Sequence, residues 1–242
     1  MTKSTETASS QAAEAQSELA SVVPARRLGR PRQSVLNREL IMQTALRLLD
    51  ERGEQGAGIR ELARELGVRP SALYNHISGS DDVIGGVREL ISDRIDVGSF
   101  NVRPWEEALE QWALSYRAAF AAHPPTIALL AVRPLEAGSR TSGMYNAVCD
   151  GLLRAGWPEE CVLDVVVACE SYVLGAALDE AAPDDMLDPG NLDTVSAFRR
   201  AYDARSTALG GAATGAAERA FSLGLRALLA GLRAEFEVRT AE

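Results

Sequence analysis

A short stretch over residues 69–76, RPSALYNH, carries side chains that can read nucleic-acid bases. The amide of Asn75 matches the hydrogen-bonding edge of adenine, and Ala72 can contact the methyl group of thymine. Ser71 can hydrogen-bond to a base or a phosphate, and Arg69 can reach a phosphate or the acceptor edge of guanine. These residue types therefore indicate contact with double-stranded DNA.

Two short helices must position these side chains. From Ile59 to Leu66 the apolar residues recur three or four apart, which predicts an amphipathic helix. Gly67 ends that helix because glycine adopts a left-handed conformation without steric cost. Pro70 suits the first turn of a second helix. In a helix-turn-helix this second helix lies in the DNA major groove. Arg60, at the start of the first helix, can also reach a phosphate or a guanine. An ordinary helical hairpin is the alternative.

The flanking sequence favours the helix-turn-helix. Upstream, a helix with one apolar face is predicted from Asn37 to a stop at Gly53. Downstream, Ser80 can cap a helix that begins with two aspartates. On these motifs, residues 36–96 resemble the N-terminal domain of the tetracycline-repressor (TetR) family. The matching residues are Ile41, Ala45, Leu48, Leu49, Gly53, Ile59, Arg60, Leu62, Ala63, Leu66, Gly67, Val68, Leu73, Tyr74, His76 and Ile77.

The resemblance implies a domain organisation. Residues 36–80 would form a three-helix DNA-binding domain, and residues 81–242 a helical domain for effector binding and dimerisation, with a connecting helix over 81–97. It also implies that Tyr74 and His76 fix the second helix, the recognition helix, against the DNA backbone.

Two positions depart from the family pattern. The threonine that usually caps the helix starting at Ile59 is replaced by the Gly58-Ile59 pair, which removes a cap of about 1 kcal/mol. The lysine usually found just before the connecting helix is Ser80, which removes one phosphate contact. Neither change removes the resemblance.

The first 35 residues are expected to be a disordered tail with a basic arm. Residues 1–23 contain mainly Ser, Thr, Ala, Glu and Gln without an apolar stripe. A Gly-Arg-Pro core flanked by arginines follows, and it resembles the minor-groove hook of architectural proteins. Glycine and proline keep such a chain extended, so that its arginines can enter the narrow minor groove of A·T-rich DNA. The alternative is a tail that binds phosphates without sequence preference. The arginines are Arg26, Arg27, Arg30 and Arg32.

The formal charge of −9 conceals an uneven distribution. Residues 24–80 contain ten arginines against six acidic residues, whereas residues 81–242 contain fourteen basic against twenty-five acidic residues. A basic head on an acidic body directs DNA towards the head.

The composition predicts an all-α fold in a cytoplasmic protein. Hydrophobic residues make up 46% and aromatic residues 5% of the 242 residues, and strand-like alternation is almost absent. We expect no signal peptide and no membrane contact, since the N-terminus is polar and no apolar run approaches the roughly 20 residues that span a bilayer. Cys149, Cys161 and Cys169 lack metal-binding spacing and are expected to be reduced core residues, with a redox switch as the alternative.

Periodicity predicts the helices of the larger domain. They run from Pro104 to His123, from Ser139 to Ala155, from Pro158 to Ala181 and over a final stretch from Ala216. A short apolar segment covers 126–132, a loop 183–192, and a weaker helix ends near residue 208. The first of these helices carries a wide aromatic stripe, formed by Trp105, Leu109, Trp112, Tyr116 and Phe120.

The second half resembles the tetracycline-repressor subgroup. The match rests on His123, the Arg133-Pro134 pair, Gly156, the LGAALDE string and the FSLGLRALLAGL helix. It implies that the long helix and the final helix of two subunits form a four-helix dimer core; the alternative is that their apolar stripes serve only the core of one chain. The stripe residues are Val166, Tyr172, Val173, Gly175, Ala176, Phe221, Leu225, Leu228, Leu229 and Leu232.

The same resemblance implies a ligand cavity in the larger domain. The histidine with which the tetracycline-repressor subgroup holds magnesium is Leu129 here, and a second polar histidine position is Ser171. We therefore expect no metal and no cofactor, and an apolar or aromatic effector anchored by Arg133 or Asp179. Trp112 and Tyr116 are alternatively plain core residues. The lining expected from the resemblance is Trp112, Tyr116, Leu129, Arg133, Pro134, Met144, Ser171 and Asp179.

These features predict a DNA-binding transcriptional regulator, a dimeric repressor that a small molecule releases from a palindromic operator. The alternative is an architectural or activating DNA-binding protein without an effector, whose second domain would be packed and free of cavities. We do not expect an enzyme. The acidic residues Asp179, Glu180, Asp184 and Asp185 cluster in sequence, but no partner base accompanies them.

Overall fold

The computed structural model describes residues 36–183, 185–190, 193–210 and 215–241. All regular structure in these ranges is helical, which confirms the predicted all-α class. The basic arm, with Arg26, Arg27, Arg30 and Arg32, lies outside the described residues. The α-helices are α1 (Arg38–Arg52), α2 (Ile59–Glu65), α3 (Pro70–Leu73), α4 (Ser80–Ser92), α5 (Trp105–Ala121), α6 (Pro125–Ala131), α7 (Arg140–Arg154), α8 (Glu159–Glu180), α9 (Ser196–Ala208) and α10 (Ala216–Thr240).

Helix α1 begins and ends where its sequence predicts. The side chain of Asn37 accepts a hydrogen bond from the backbone N–H of Leu40 at 2.8 Å, which caps the first turn. Gly53 ends the helix with a φ of 64°, and a short 3-10 turn over Gly53–Ala57 follows.

The turn between α2 and α3 also matches the prediction. Gly67 has a φ of 67°, and the N–H of Val68 closes the turn on the carbonyl of Ala63 at 2.9 Å. Val68 itself is half-buried rather than buried. Leu73 and Ile77 both point into the core, so the other residues of 70–77, the recognition segment, are exposed or half-buried.

The connecting helix α4 differs from the prediction at both ends. Ser80 makes no capping hydrogen bond; instead the carboxylate of Asp82 accepts from the N–H of Ser78 at 2.8 Å. The helix ends at Ser92, five residues before the predicted end at residue 97. After Ser92 the N–H groups of Arg94 and Ile95 bond to the carbonyls of Ile91 and Ser92, three residues back, which is a tighter turn than an α-helix. The carboxylate of Asp96 then accepts from the N–H of Gly98 and from the hydroxyl of Ser99.

The long helix α8 is the centre of the larger domain. It packs against α5, α7 and α10, and the predicted aromatic stripe of α5 is buried around it. By length and composition alone α8 could cross a membrane, contrary to the expectation that no run approaches that length. Its buried face identifies it as a core helix, and this face includes Val165, Val166, Cys169 and Val173.

Candidate DNA interface and ligand cavity

The recognition segment presents the predicted base-reading side chains on its outer face. Ser71 and Asn75 are exposed, and Tyr74 is 56% exposed although it is aromatic. Ala72 and His76 are half-buried beside them. Helix α3 and the turn that follows it therefore present all five predicted residues of this segment, while Leu73 and Ile77 pack in the core.

Two arginines beside this segment are available for phosphates. Arg60 and Arg69 are exposed, and no ion pair to either occurs within the described residues. The neighbouring Arg47, Arg52 and Arg64 are instead engaged in ion pairs with carboxylates of α1 and α2. Residues 36–80 contain six arginines and six acidic residues, so the basic excess counted over 24–80 comes entirely from the arm.

A hydrogen-bonded junction ties the recognition segment to α4. Arg38 donates to the carbonyl of His76 at 3.3 Å and to the carboxylate of Asp82 at 2.5 Å. The other oxygen of Asp82 accepts from the backbone of Ser78. The Arg38 guanidinium, which is the main cause, holds the pKa of Asp82 below its usual value. Helices α1 and α4 thereby fix the end of the recognition segment.

A cavity of about 360 Å³ lies in the larger domain, and its walls come from α4, α5, α6, α7 and α8. Most of the lining is apolar, with a small number of polar groups, as is usual for small-molecule sites. The lining residues are Arg88, Ser92, Tyr116, Phe120, Ile127, Leu130, Ala131, Arg133, Leu135, Thr141, Tyr145, Leu163, Val166, Val167, Glu170 and Leu174.

The cavity includes two of the eight expected ligand residues, Tyr116 and Arg133. Trp112 is fully buried instead, and its Nε1 donates to the sulfur of Met144 at 3.3 Å, so both are core residues. Ser171 and Asp179 are exposed on α8, outside the face that lines the cavity.

The remaining two expected residues lie beside the cavity rather than on its lining. Pro134 is exposed and contributes its carbonyl to Arg88, and Leu129 is half-buried. On α6 the cavity-facing positions are Ile127, Leu130 and Ala131, so Leu129 falls on another side of the helix. The cavity therefore defines a ligand set that overlaps only partly with the expected one.

The sequence reasoning missed the polar cluster that the cavity contains. The hydroxyls of Tyr116 and Tyr145 both donate to Oε1 of Glu170, at 2.6 and 2.5 Å. Burial is the main cause that raises the pKa of both tyrosines far above the usual value, so they remain neutral donors. A carboxylate inside the apolar run VVVACESYVLGAAL was the signal available in the sequence.

Arg88 attaches the connecting helix to the wall of the cavity. This buried side chain on α4 donates to the carbonyls of Leu130, Arg133 and Pro134 at 2.8, 2.8 and 2.9 Å. Leu130 lies in the last turn of α6, and Arg133 and Pro134 follow the end of that helix. The position of α4 is thus coupled to the end of α6.

A second contact links α1 to the larger domain. Nδ1 of His123 lies 2.8 Å from a carboxylate oxygen of Asp50, and its Nε2 lies 3.4 Å from the guanidinium of Arg94. Within the described ranges, no three His, Cys, Asp or Glu side chains are grouped so as to hold a metal ion. His123 has a structural role in this arrangement.

The acidic run near the end of α8 also has a structural explanation. Glu180 pairs with the buried guanidinium of Arg117 at 3.1 Å, and Glu218 on α10 pairs with the same guanidinium. Asp179 and Asp185 are exposed, and Asp184 lies outside the described residues.

Two family models match the chain. Residues 41–82 match the model described as "Bacterial regulatory proteins, tetR family". Residues 101–236, more than half of the chain, match "Tetracyclin repressor-like, C-terminal domain". The first match covers the helix-turn-helix, and the second covers most of the domain that contains the cavity.

Individual proteins give the same result. The chain is 27% identical over 203 residues to an HTH-type transcriptional regulator of Saccharopolyspora erythraea, covering 83% of this chain and 86% of that protein. It is 25% identical to the class E tetracycline repressor protein of Escherichia coli, covering 81% of this chain and 90% of the repressor.

A solved structure agrees in fold. The crystal structure of a possible TetR family transcriptional regulator from Streptomyces coelicolor superposes with a TM-score of 0.62 and 26% identity, covering 82% of this chain and 99% of that one. Since the family models, the relatives and the fold agree, the chain belongs to the TetR family of DNA-binding transcriptional regulators.

Proposed function

We propose that this chain is a dimeric repressor that binds a palindromic operator and is released from it by a small molecule bound in the cavity. One observation carries the proposal: the connecting helix α4 supplies part of the cavity wall, through Arg88 and Ser92. A ligand in the cavity therefore touches the helix that leads to the DNA-binding domain. The relatives that are tetracycline repressor proteins support the repressor role.

The coupling route runs from the cavity to the recognition segment through hydrogen bonds. Arg133, on the cavity wall, pairs with Asp81 in the first turn of α4. The next residue, Asp82, is held by Arg38, which also binds the carbonyl of His76. A ligand that displaces Arg133 or the carbonyls bound by Arg88 would shift α4 and, with it, the recognition segment. By linkage, operator DNA weakens the ligand by the same factor that the ligand weakens the operator.

Dimerisation is proposed from uncovered apolar faces on α8 and α10. Of the 25 residues of α10, only Phe221 and Leu225 are buried within the chain. The other face carries exposed apolar residues three or four apart, and α8 carries a matching exposed series with small residues that allow close approach. The exposed residues are Ala168, Ser171, Gly175, Leu178, Ala220, Leu223, Ala227, Ala230, Gly231 and Ala234.

The stripe expected from sequence thus divides between two roles. Val166, Val173 and Ala176 are buried in the core of the single chain, as the alternative interpretation held. Gly175 is exposed and would accept a Cβ without contact, so it remains available to a second copy. Leu228, Leu229 and Leu232 are half-buried at the border between the two roles.

The alternative of an architectural or activating protein without an effector is not favoured. It required a packed second domain, whereas the domain contains a cavity lined by apolar and polar groups. The family match to tetracycline-repressor-like C-terminal domains extends over this same region.

A cavity-filling variant tests the proposal. We expect Val167→Trp, at an accessible lining position that is 54% exposed, to occupy the cavity. It should keep operator affinity within about threefold and lose release by compounds that free the wild type from a fluorescent operator duplex, because only the ligand site changes. Val132→Trp, at an exposed position outside the lining, is the control. Release of both variants by the same compounds would contradict the proposal.

A further inference from the structure

We propose that the effector carries a protonated amine, which Glu170 receives inside the cavity. This inference rests on the proposed function, since it names the chemical class of ligand for the same cavity. The inference is based on the carboxylate of Glu170, which lies in a largely apolar cavity. One of its oxygens accepts hydrogen bonds from two tyrosines, and the other has no partner among the described residues.

The geometry leaves one oxygen of Glu170 free to bind a ligand. Oε1 accepts from the hydroxyls of both Tyr116 and Tyr145. Within the described residues nothing donates to Oε2. Two donors on a single carboxylate oxygen orient the group. The two tyrosines thus position Glu170 and leave Oε2 for a donor from outside the chain.

The charge of Glu170 lacks a cationic partner in the described ranges. Two guanidiniums share the cavity wall, but both are already engaged. Arg88 donates to three backbone carbonyls, and Arg133 pairs with Asp81. Neither lies within ion-pair distance of Glu170. A half-buried carboxylate without a counter-ion is costly, so a ligand cation beside it gains more than a neutral hydroxyl would.

The rest of the cavity suits an amine with an apolar aromatic body. The rings of Tyr116 and Phe120 stack with centroids 5.0 Å apart and a 15° angle between their planes, and both line the cavity. Ile127, Leu130 and Leu174 supply an aliphatic wall. Aromatic faces attract a cation and pack against an aromatic ring, so the amine and its ring system would both find partners.

Binding of two matched probes to the full chain tests this inference. We would titrate 1-naphthylmethylamine and 1-naphthylmethanol by calorimetry at pH 7, because they share a ring system and differ in charge. The wild type should bind the amine at least about tenfold more tightly than the alcohol, since a charge-assisted bond to an ionised carboxylate replaces a neutral one. In Glu170→Gln, whose amide oxygen can still accept from both tyrosines, the ratio should approach one.

Controls separate this inference from folding and from the proposed function. Glu110→Gln removes the same charge from α5 outside the cavity lining and should keep the preference for the amine. Equal or weaker binding of the amine in the wild type, no binding of either probe, or an unchanged preference in Glu170→Gln would overturn the inference. A third result would separate the two proposals. If only neutral compounds released the operator, and Val167→Trp blocked that release, the amine inference would be overturned and the repressor proposal would stand.

Discussion

Arg133, on the wall of the cavity, donates a hydrogen bond to the carboxylate of Asp81 in the first turn of α4, with 2.5 Å between Nη1 and Oδ1. The neighbouring Asp82 makes the corresponding contact on the DNA-binding side, to Arg38. Two adjacent aspartates therefore connect one helix terminus to the ligand cavity and to the recognition segment. The short acidic start of α4 is a junction as well as a favourable complement to the helix dipole.

The first prediction compares these two aspartates. Asp82→Asn should lower the free energy of unfolding by about 1.5–3 kcal/mol at pH 7, because it weakens charge-assisted bonds to Arg38 and to the Ser78 backbone at a side chain that is only 18% exposed. Asp81→Asn should cost less than about 1 kcal/mol, because Asp81 is 91% exposed. Urea unfolding of both variants measures the difference, and equal losses would contradict it.

The ion pair between Asp82 and Arg38 also predicts how stability depends on pH. The folded-state pKa of Asp82 is lowered, so its stabilisation is complete above the unfolded pKa of about 3.9 and is lost as the pH falls through the folded value. The stability difference between wild type and Asp82→Asn should therefore shrink below about pH 4. A difference that stays constant from pH 7 to the acid limit of folding would show that the carboxylate charge is not responsible.

The second prediction concerns Arg88. Replacement by Met keeps part of the apolar stem of the side chain but removes the guanidinium that donates to the carbonyls of Leu130, Arg133 and Pro134. We expect a loss of about 1–3 kcal/mol in the free energy of unfolding, because the hydrogen bonds of a buried guanidinium are lost. Arg88→Lys should lose less, because an ammonium group can keep part of the contacts. Chemical denaturation measures both variants. An Arg88→Met variant with unchanged free energy of unfolding would contradict this account of the α4–α6 link.

The third prediction separates base contacts from phosphate contacts. Arg69→Ala should weaken binding to all DNA sequences and reduce the salt slope of binding by about one, because Arg69 is exposed and unpaired within the described residues. Asn75→Ala should instead cost about 1–3 kcal/mol on the preferred operator and relax selectivity at one base pair of each half-site.

Fluorescence anisotropy at several salt concentrations measures both variants. Arg103→Ala, which removes an arginine paired with Glu107 in the larger domain, serves as the control with unchanged binding. If Asn75→Ala lowered affinity uniformly for every sequence, the base-reading role of Asn75 would be wrong.

The fourth prediction addresses the uncovered face of α10. Leu223, which is 64% exposed, should lie in the dimer interface, so Leu223→Arg should convert the dimer to a monomer and reduce operator binding at least tenfold. Val102→Arg, at a site 81% exposed in a loop, should leave both properties unchanged. Light scattering after size exclusion gives the mass, and a dimeric Leu223→Arg variant would place the interface elsewhere.

Local signals in the sequence were sufficient for the DNA-binding domain. Gly53, Gly67 and Pro70 determine where helices end and begin through backbone conformation alone, and the structure has those boundaries. The outward-facing positions, which are the ones predicted to read bases, followed from them because the burial of Leu73 and Ile77 decides which neighbours face outwards.

The resemblance predicted a cavity but only two of its lining residues, because the lining depends on contacts between distant residues. Tyr145 and Glu170 are far apart in sequence, and only the packing of α7 against α8 brings their side chains together. The end of α4 was also misplaced, because the backbone after Ser92 tightens into turns with bonds three residues back, which apolar periodicity does not detect.

The most direct test of the central claim is the selection of bound duplexes from a random DNA pool by the purified full chain, followed by titration of the selected duplex against salt. The account predicts a palindrome with two half-sites about one helical turn apart and a steep salt dependence. It also predicts that Leu223→Arg loses this binding. Failure to enrich any sequence, or enrichment of A·T-rich DNA without a palindrome, would contradict a dimeric helix-turn-helix repressor.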